Sequence, residues 1–163
     1  METIYQKKPM LNPIKSWTLC ILKMFNSYER ARRSEFWWYF LLVRLFGMGM
    51  IFTLTLIKRE DIPQFIIGLL MEILMFSATI RRLHDVNVEG KTYYVYWGFL
   101  LVGILFSYLN VSVNIQMVLH LATFVTYMFV LAALITDSDK DENDWGESPK
   151  YVCINSNENE ESE

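Results

Sequence analysis

Cysteine and histidine, which supply most metal sites and many catalytic groups, are scarce in this sequence. It has two of each among 163 residues, and Cys20 and Cys153 form no clustered motif. If both ends of the chain face the cytoplasm, neither cysteine is expected in a disulfide. There is also no glycine-rich phosphate loop, no Gly-x-Ser-x-Gly elbow and no His-Glu-x-x-His pair. No motif supports an enzyme, and we expect no catalytic residue, no metal and no cofactor.

The acidic end of the sequence lacks the residues that a calcium loop needs. Asp137-x-Asp139-x-Asp141 begins like such a loop. Its sixth position is Glu142 where glycine is required, and its twelfth is Ser148 where glutamate is required. We interpret this stretch as a solvated acidic segment.

Apolar residues, by contrast, are abundant. Hydrophobic residues make up 53% of the chain and aromatic residues 15%, more than a soluble domain of this length can bury. Residues 1–35 carry seven Lys/Arg and three acids, whereas residues 137–163 carry two Lys and ten acids. A basic start, an apolar middle and an acidic tail indicate an integral membrane protein, not a nucleic-acid binder. Because residues 1–10 are polar, we expect no cleavable signal peptide.

Four apolar stretches are long enough to cross a bilayer as helices, at residues 36–57, 62–80, 92–109 and 113–136. The first would be about 33 Å long at the rise of an α-helix. The sequence therefore predicts an all-α polytopic membrane protein whose domain 36–136 contains four transmembrane helices.

The basic segment 1–35 includes a predicted amphipathic helix over residues 14–28. Apolar side chains recur there at every third or fourth position, at Ile14, Trp17, Ile21, Phe25 and Tyr28. Such a helix either lies in the bilayer interface or packs on the protein's own cytoplasmic face, and the two arrangements are compatible.

The distribution of basic residues predicts the orientation. With the N-terminus inside, twelve Lys/Arg face the cytoplasm and two lie in the outer turns. We therefore expect both termini in the cytoplasm. Residues 137–163 would form an acidic cytoplasmic tail, with 155–163 disordered.

Two charged residues interrupt the first two spans. Arg44 and Glu72 each lie eight residues, or about 12 Å, from the predicted cytoplasmic boundary, so they should stand at one level. They would form either a salt bridge that determines how the two helices face each other or part of an ion path. His120, about 24 Å from that boundary, is expected to be a hydrogen-bonded helix contact.

A second polar group is predicted at the cytoplasmic ends of the helices. It comprises Arg32, Arg33, Glu35, Arg81, Arg82, His84 and Asp85. Basic residues there could anchor the protein on lipid phosphates, but an anchor does not require the His-Asp pair. Capping and hydrogen bonding between loops is one interpretation of His84 and Asp85, and an acid–base or metal group is the other.

Three motifs together resemble one known family. They are Arg33-Ser34-Glu35-Phe36-Trp37, Arg81-Arg82-Leu83-His84-Asp85 and the spaced residues Asn143, Gly146 and Pro149. Over about residues 14–151 the chain is similar to the YhaH-like bacterial inner-membrane proteins, the family of unknown function numbered 805. The resemblance implies a small polytopic protein of the bacterial inner membrane and no known activity.

These features leave several functions open. The first is a non-catalytic protein whose basic cytoplasmic face binds anionic lipid headgroups or a partner protein, in a monomer or a homo-oligomer. The second is a transporter or channel subunit that uses Arg44 and Glu72. A membrane enzyme that uses His84 and Asp85 and a protein that protects the membrane against toxins are further alternatives.

Overall fold

The computed structural model describes residues 4–58 and 62–154, so the predicted disordered stretch 155–163 lies outside the described residues. The protein is mostly helical, as predicted. The helices are α1 (Pro13–Leu22), α2 (Arg33–Leu56), α3 (Ile62–His84), α4 (Lys91–Tyr108) and α5 (Val113–Ile135). Two short strands, β1 (Ile4–Lys7) and β2 (Tyr151–Ile154), stand at the two ends of the described chain.

The four long helices form two antiparallel hairpins. α2 packs on α3, α4 packs on α5, and α3 also contacts α5. Within the second hairpin, Asn110 has a φ of 51° and ends α4 in a left-handed turn. Consequently one end of the bundle contains the first residues of α2 and α4 and the last residues of α3 and α5. We call this end the near end.

Large apolar side chains are exposed over much of the outer surface of the helices. Arg33–Leu56, Pro63–His84 and Val113–Ile135 are long and apolar enough to cross a membrane. Their large side chains point outwards, and Phe46, Phe52, Leu121 and Phe129 are 63% to 66% exposed. Such a surface requires lipid as its solvent, so the chain is a membrane protein.

The predicted third span, α4, is not among these helices, although its 18 residues give it sufficient length. Its first two turns contain Lys91 and four polar-edged aromatics, Tyr93, Tyr94, Tyr96 and Trp97. These residues lower its mean hydropathy, and they suit an interface better than a bilayer centre. Three of the four predicted spans thus have membrane-spanning character, and the fourth stays a prediction.

The amphipathic helix is shorter than the predicted 14–28 because α1 ends at Leu22. Asn26 interrupts the pattern with side-chain hydrogen bonds to local groups. Its Nδ2 donates to Glu29 Oε1 (2.8 Å), and its Oδ1 accepts from the backbone N–H of Tyr28 (3.1 Å). Such bonds compete with helical ones and are consistent with the non-helical backbone of residues 26–28.

One face of α1 packs on α2 and the other is open. Cys20 is buried, and the ring centroids of Trp17 and Tyr39 of α2 are 5.5 Å apart. Ile14 and Leu22 point away from the protein and are exposed. α1 therefore covers the protein, as one interpretation predicted, and keeps the apolar outer face that an interfacial helix needs.

The two strands were not predicted by the all-α assignment. They pair antiparallel, with Ile4 opposite Ile154 and Lys7 opposite Tyr151. Each strand has only four residues, so its stability depends on a partner from the other end of the sequence. The sheet joins the N-terminal segment to the acidic tail.

The buried core lies in the halves of the helices that are closer to the near end. It comprises Cys20, Phe36, Tyr39, Val43, Met71, Met75, Ala78, Ile80, Leu83, Tyr93, Tyr96, Val130 and Leu134. At its outer limit Gly47 of α2 lies against Met71 of α3. The missing side chain of Gly47 is what lets these two helices approach there.

We expect Gly47→Ala to destabilise the contact between α2 and α3. A Cβ at Gly47 would lie 1.7 Å from Met71 Sδ and 2.7 Å from Met71 Cγ, so Met71 would have to move. Overpacking of this kind costs about 1–3 kcal/mol. Thermal unfolding in detergent measures the loss. Gly49→Ala is the control, since its Cβ would meet nothing within 4 Å. Equal melting temperatures for the two variants would contradict the expectation.

Candidate functional site

The last turn of α3 places two adjacent arginines and one aspartate inside the protein. Arg81, Arg82 and Asp85 are each 0% exposed. Successive helical residues are about 100° apart, so the two guanidinium groups point in different directions. Arg81 reaches α1 and α2, whereas Arg82 reaches the end of α5.

Arg81 connects three parts of the chain. Its Nη1 donates to Glu35 Oε1 of α2 (2.7 Å), and its Nη2 lies 3.6 Å from Cys20 Sγ of α1. Its backbone carbonyl accepts from the N–H of Ala31 (3.0 Å). The Cys20 thiol in turn faces Glu35, with Sγ and Oε1 3.7 Å apart.

Arg82 caps the C-terminus of α5. Its Nε donates to the Leu134 carbonyl (3.3 Å), and its Nη2 donates to the Thr136 carbonyl. The last carbonyls of a helix carry partial negative charge, so a buried cation satisfies both their hydrogen bonding and their electrostatics. Nη1 of the same side chain is ion-paired with Asp85.

Asp85 is the shared acceptor of this arrangement. Oδ1 accepts from Arg30 Nε (3.2 Å), and Oδ2 accepts from Arg82 Nη1 and from the Ser138 hydroxyl. The Asp85 backbone carbonyl accepts from the N–H of Asp139 (3.0 Å). Burial raises the pKa of the Asp85 carboxyl, while Ser138 and the two arginines act in the opposite direction.

Arg30 holds the acidic tail, a role that the sequence analysis missed. Its Nη1 donates to the carbonyls of Asp141 (2.8 Å) and Gly146 (3.0 Å), and its Nη2 donates to that of Asp139 (2.7 Å). No local pattern separates Arg30 from nearby Arg33, because all of its tail partners are more than 100 positions away. We call Arg30, Glu35, Arg81, Arg82 and Asp85 the buried cluster.

Comparison with known proteins identifies the family. The family described as protein of unknown function (DUF805) matches residues 24–147. The chain belongs to this family. The DUF805 match contains the whole buried cluster, and it confirms the resemblance seen in the sequence, over a slightly shorter range than 14–151. No curated protein and no solved structure matches the chain.

His84 and Asp85 have different partners in this DUF805 protein. The His84 imidazole stacks on Trp145, with ring centroids 4.3 Å apart and planes 9° apart. The His84 carbonyl accepts from Asn143 Nδ2 (2.9 Å). The tail therefore docks on the end of α3, and the two side chains of the suggested acid–base pair are directed to separate contacts. Among the described residues, no group of three His, Cys, Asp or Glu could hold a metal.

The expected basic face needs correction for its arginines on α3. α1, the chain before α2 and the docked tail cover Arg81 and Arg82, so neither guanidinium can reach a lipid headgroup. Arg32 is also buried, with Nη1 2.7 Å from the Pro9 carbonyl. Arg33 is the exposed member of the expected group.

The intramembrane charges lie apart from the buried cluster. Arg44 Nη2 is 2.6 Å from Glu72 Oε1, at the common level that their spacing predicted, and Arg44 Cζ lies 5.3 Å from the Phe40 ring centroid. His120 is exposed on α5, and its Nδ1 is 2.6 Å from the Gln116 carbonyl of the same helix. This hydrogen bond lies within α5 and does not connect it to another helix.

We expect Arg30→Ala to release the tail over residues 137–150. Removing one partner of a buried ion pair costs about 3–5 kcal/mol, because the other charge is left buried. Hydrogen exchange of the tail amides, followed by mass spectrometry, should be much faster in the variant. Arg30→Lys should be intermediate, since one ammonium cannot satisfy three carbonyls and Asp85. Arg33→Ala, at an exposed arginine nearby, is the control. Equally slow exchange in all three would contradict the role of Arg30.

Cys20 should be unreactive in the folded protein. Burial, together with the nearby Glu35 carboxylate, raises the pKa of the Cys20 thiol to about 12, although Arg81 acts in the opposite direction. Alkylation requires the thiolate. With maleimide at pH 8 we expect one modified cysteine, the exposed Cys153, before denaturation and two afterwards. In Cys153→Ser, modification of the folded protein as fast as of the denatured protein would refute this.

Proposed function

We propose that this DUF805 protein is a non-catalytic protein of the bacterial inner membrane that binds anionic lipid headgroups at its cytoplasmic surface. The observation that carries the proposal is an exposed arginine above an apolar groove. The groove has a volume of about 500 Å³ and is lined by Met10, Arg33, Ser34, Trp37, Trp38, Phe40 and Leu41.

The proposed orientation puts the near end in the cytoplasm, with four spans. Twelve basic residues against two in the outer turns support this orientation. α4 would be about 27 Å long and pairs with α5 along its length, as the Tyr96 and Tyr127 rings, 5.7 Å apart, illustrate. A helix packed antiparallel on a membrane-spanning helix is expected to cross with it.

The groove fits an anionic lipid because charge and apolar surface are arranged in the right order. Arg33 is the first residue of α2, where the helix dipole also favours an anion. Trp37 and Trp38 follow within the next two turns, at the position of an interfacial aromatic belt. A phosphate at Arg33 would leave the acyl chains along Trp37, Trp38 and Leu41.

Arg33 is an exposed charged group that can contact a headgroup, whereas other arginines are engaged inside the protein. Arg81 and Arg82 are committed to internal contacts, and Arg44 is paired with Glu72. A transporter would have to separate Arg44 from Glu72, and no contact among the described residues favours the separated state. Lipid binding at Arg33 needs no rearrangement.

Arg33→Gln should weaken the retention of phosphatidylglycerol about fivefold, since one basic residue near an anionic surface contributes about 1 kcal/mol. Native mass spectrometry of protein released from mixed nanodiscs measures the bound lipid. Lys140→Gln, at an exposed lysine of the tail, is the matched control for the loss of one positive charge. The proposal fails if the two variants retain equal amounts, or if wild type does not prefer phosphatidylglycerol to phosphatidylcholine.

A further inference from the structure

A second cavity, of about 420 Å³, lies at the near end where four parts of the chain meet. The turn after α1, the end of α3, the start of α4 and the docked tail each contribute to its wall. Its lining includes exposed aromatic side chains, which we call the aromatic side, and charged side chains, which we call the charged side. The presence of both indicates an amphiphilic ligand.

The aromatic side is formed partly by the turn that follows α1. Ser77 of α3 donates to the backbone carbonyls of Lys23 (3.1 Å) and Asn26 (2.8 Å), which holds this turn against the helix. Ser77 is eight residues before Asp85, or about 12 Å further into the bundle. Phe25 is 95% exposed at this level. A large exposed ring at that depth belongs to the bilayer boundary.

The start of α4 completes the aromatic side. The ring centroids of Tyr94 and Phe76 of α3 are 5.7 Å apart, and more than half of the Tyr94 surface is exposed. Tyr28, which is also exposed, faces the same cavity from the turn after α1. Phe25, Tyr28 and Tyr94 thus form a wall that acyl chains can follow into the membrane.

The charged side carries both signs. Lys91, the first residue of α4, lines the cavity beside Glu89, and the two side chains pair at 2.9 Å on the open surface. Asp144 and Trp145 line it from the tail, and His84, which stacks on Trp145, lines it from the end of α3.

Gly90 packs closely against the end of α3. A Cβ at this position would lie 2.8 Å from Ile80 Cγ2 and 3.3 Å from His84 Nε2. Any larger residue would push against these two side chains, which both line the cavity. A substitution at Gly90 would therefore displace part of the cavity lining.

We propose that this cavity binds the zwitterionic headgroup of a phosphoethanolamine lipid. Its phosphate would lie at Lys91 and the N-terminus of α4, and its ammonium at Asp144 and the face of Trp145. A purely anionic headgroup would meet Glu89 and Asp144, and a purely cationic one would meet Lys91. A zwitterion satisfies both signs, and the aromatic wall makes a lipid the source of the headgroup.

The test is lipid retention by the full chain, released from nanodiscs that contain equal phosphatidylethanolamine, phosphatidylcholine and phosphatidylglycerol with identical acyl chains. We expect retention of phosphatidylethanolamine in preference to phosphatidylcholine, because its ammonium donates hydrogen bonds to Asp144 and a trimethylammonium cannot. Asp144→Asn and Lys91→Gln should each reduce that retention several-fold. Glu142→Gln, an exposed acid of the same tail, should not. All three changes are at exposed side chains, so folding should be unaffected.

Two outcomes would overturn the proposal. One is equal retention of phosphatidylethanolamine and phosphatidylcholine, and the other is an identical effect of Asp144→Asn and Glu142→Gln. Soluble glycerophosphoethanolamine, which lacks acyl chains, should compete poorly, and equally strong competition would rule out a lipid as the ligand. Arg33→Gln should leave phosphatidylethanolamine retention unchanged, so this site and the groove at Arg33 are tested independently.

Discussion

The near end depends on one buried carboxylate shared by two arginines. Asp85 accepts from Arg82, which caps α5, and from Arg30, which holds the tail. Removing these charges from water costs several kcal/mol each, so they are tolerated only because nearly every donor and acceptor has a partner. Helix ends and tail carbonyls supply the additional acceptors. The ion cluster therefore organises the end of the bundle more than it adds stability, because its Coulomb energy is largely offset by desolvation.

This arrangement explains where the packed core is found. In lipid, apolar side chains gain little by facing one another, so the outer halves of the helices leave residues such as Phe52 and Leu121 exposed. At the near end, water would otherwise compete for the charges, and tight packing around Leu83 and Tyr39 excludes it. The most recognisable motif of the sequence thus serves folding. The two lipid sites that we propose lie instead at exposed side chains, Arg33 in one and Lys91 and Asp144 in the other.

The docked tail changes how the acidic segment is understood. By composition it is a solvated segment, and much of its side-chain surface is exposed. Its backbone, however, is held by Arg30, while Lys150 pairs with Asp137 and Trp145 stacks on His84. Net charge describes the side chains of such a segment, whereas docking is decided by its carbonyls and one aromatic ring. The tail in this way becomes part of the cavity that we assign to a zwitterionic lipid.

The sequence alone determined the long helices and the common depth of Arg44 and Glu72, because hydrophobic runs and helical rise are local properties. It also indicated the family, through two short contiguous motifs and three residues at short spacing near the end of the chain. Only the tertiary structure decided that Arg30 and Arg82 are internal while Arg33 is exposed, and that β1 pairs with β2. Those outcomes depend on contacts between residues more than 50 positions apart, whose formation is governed by how the helices pack and not by any local pattern.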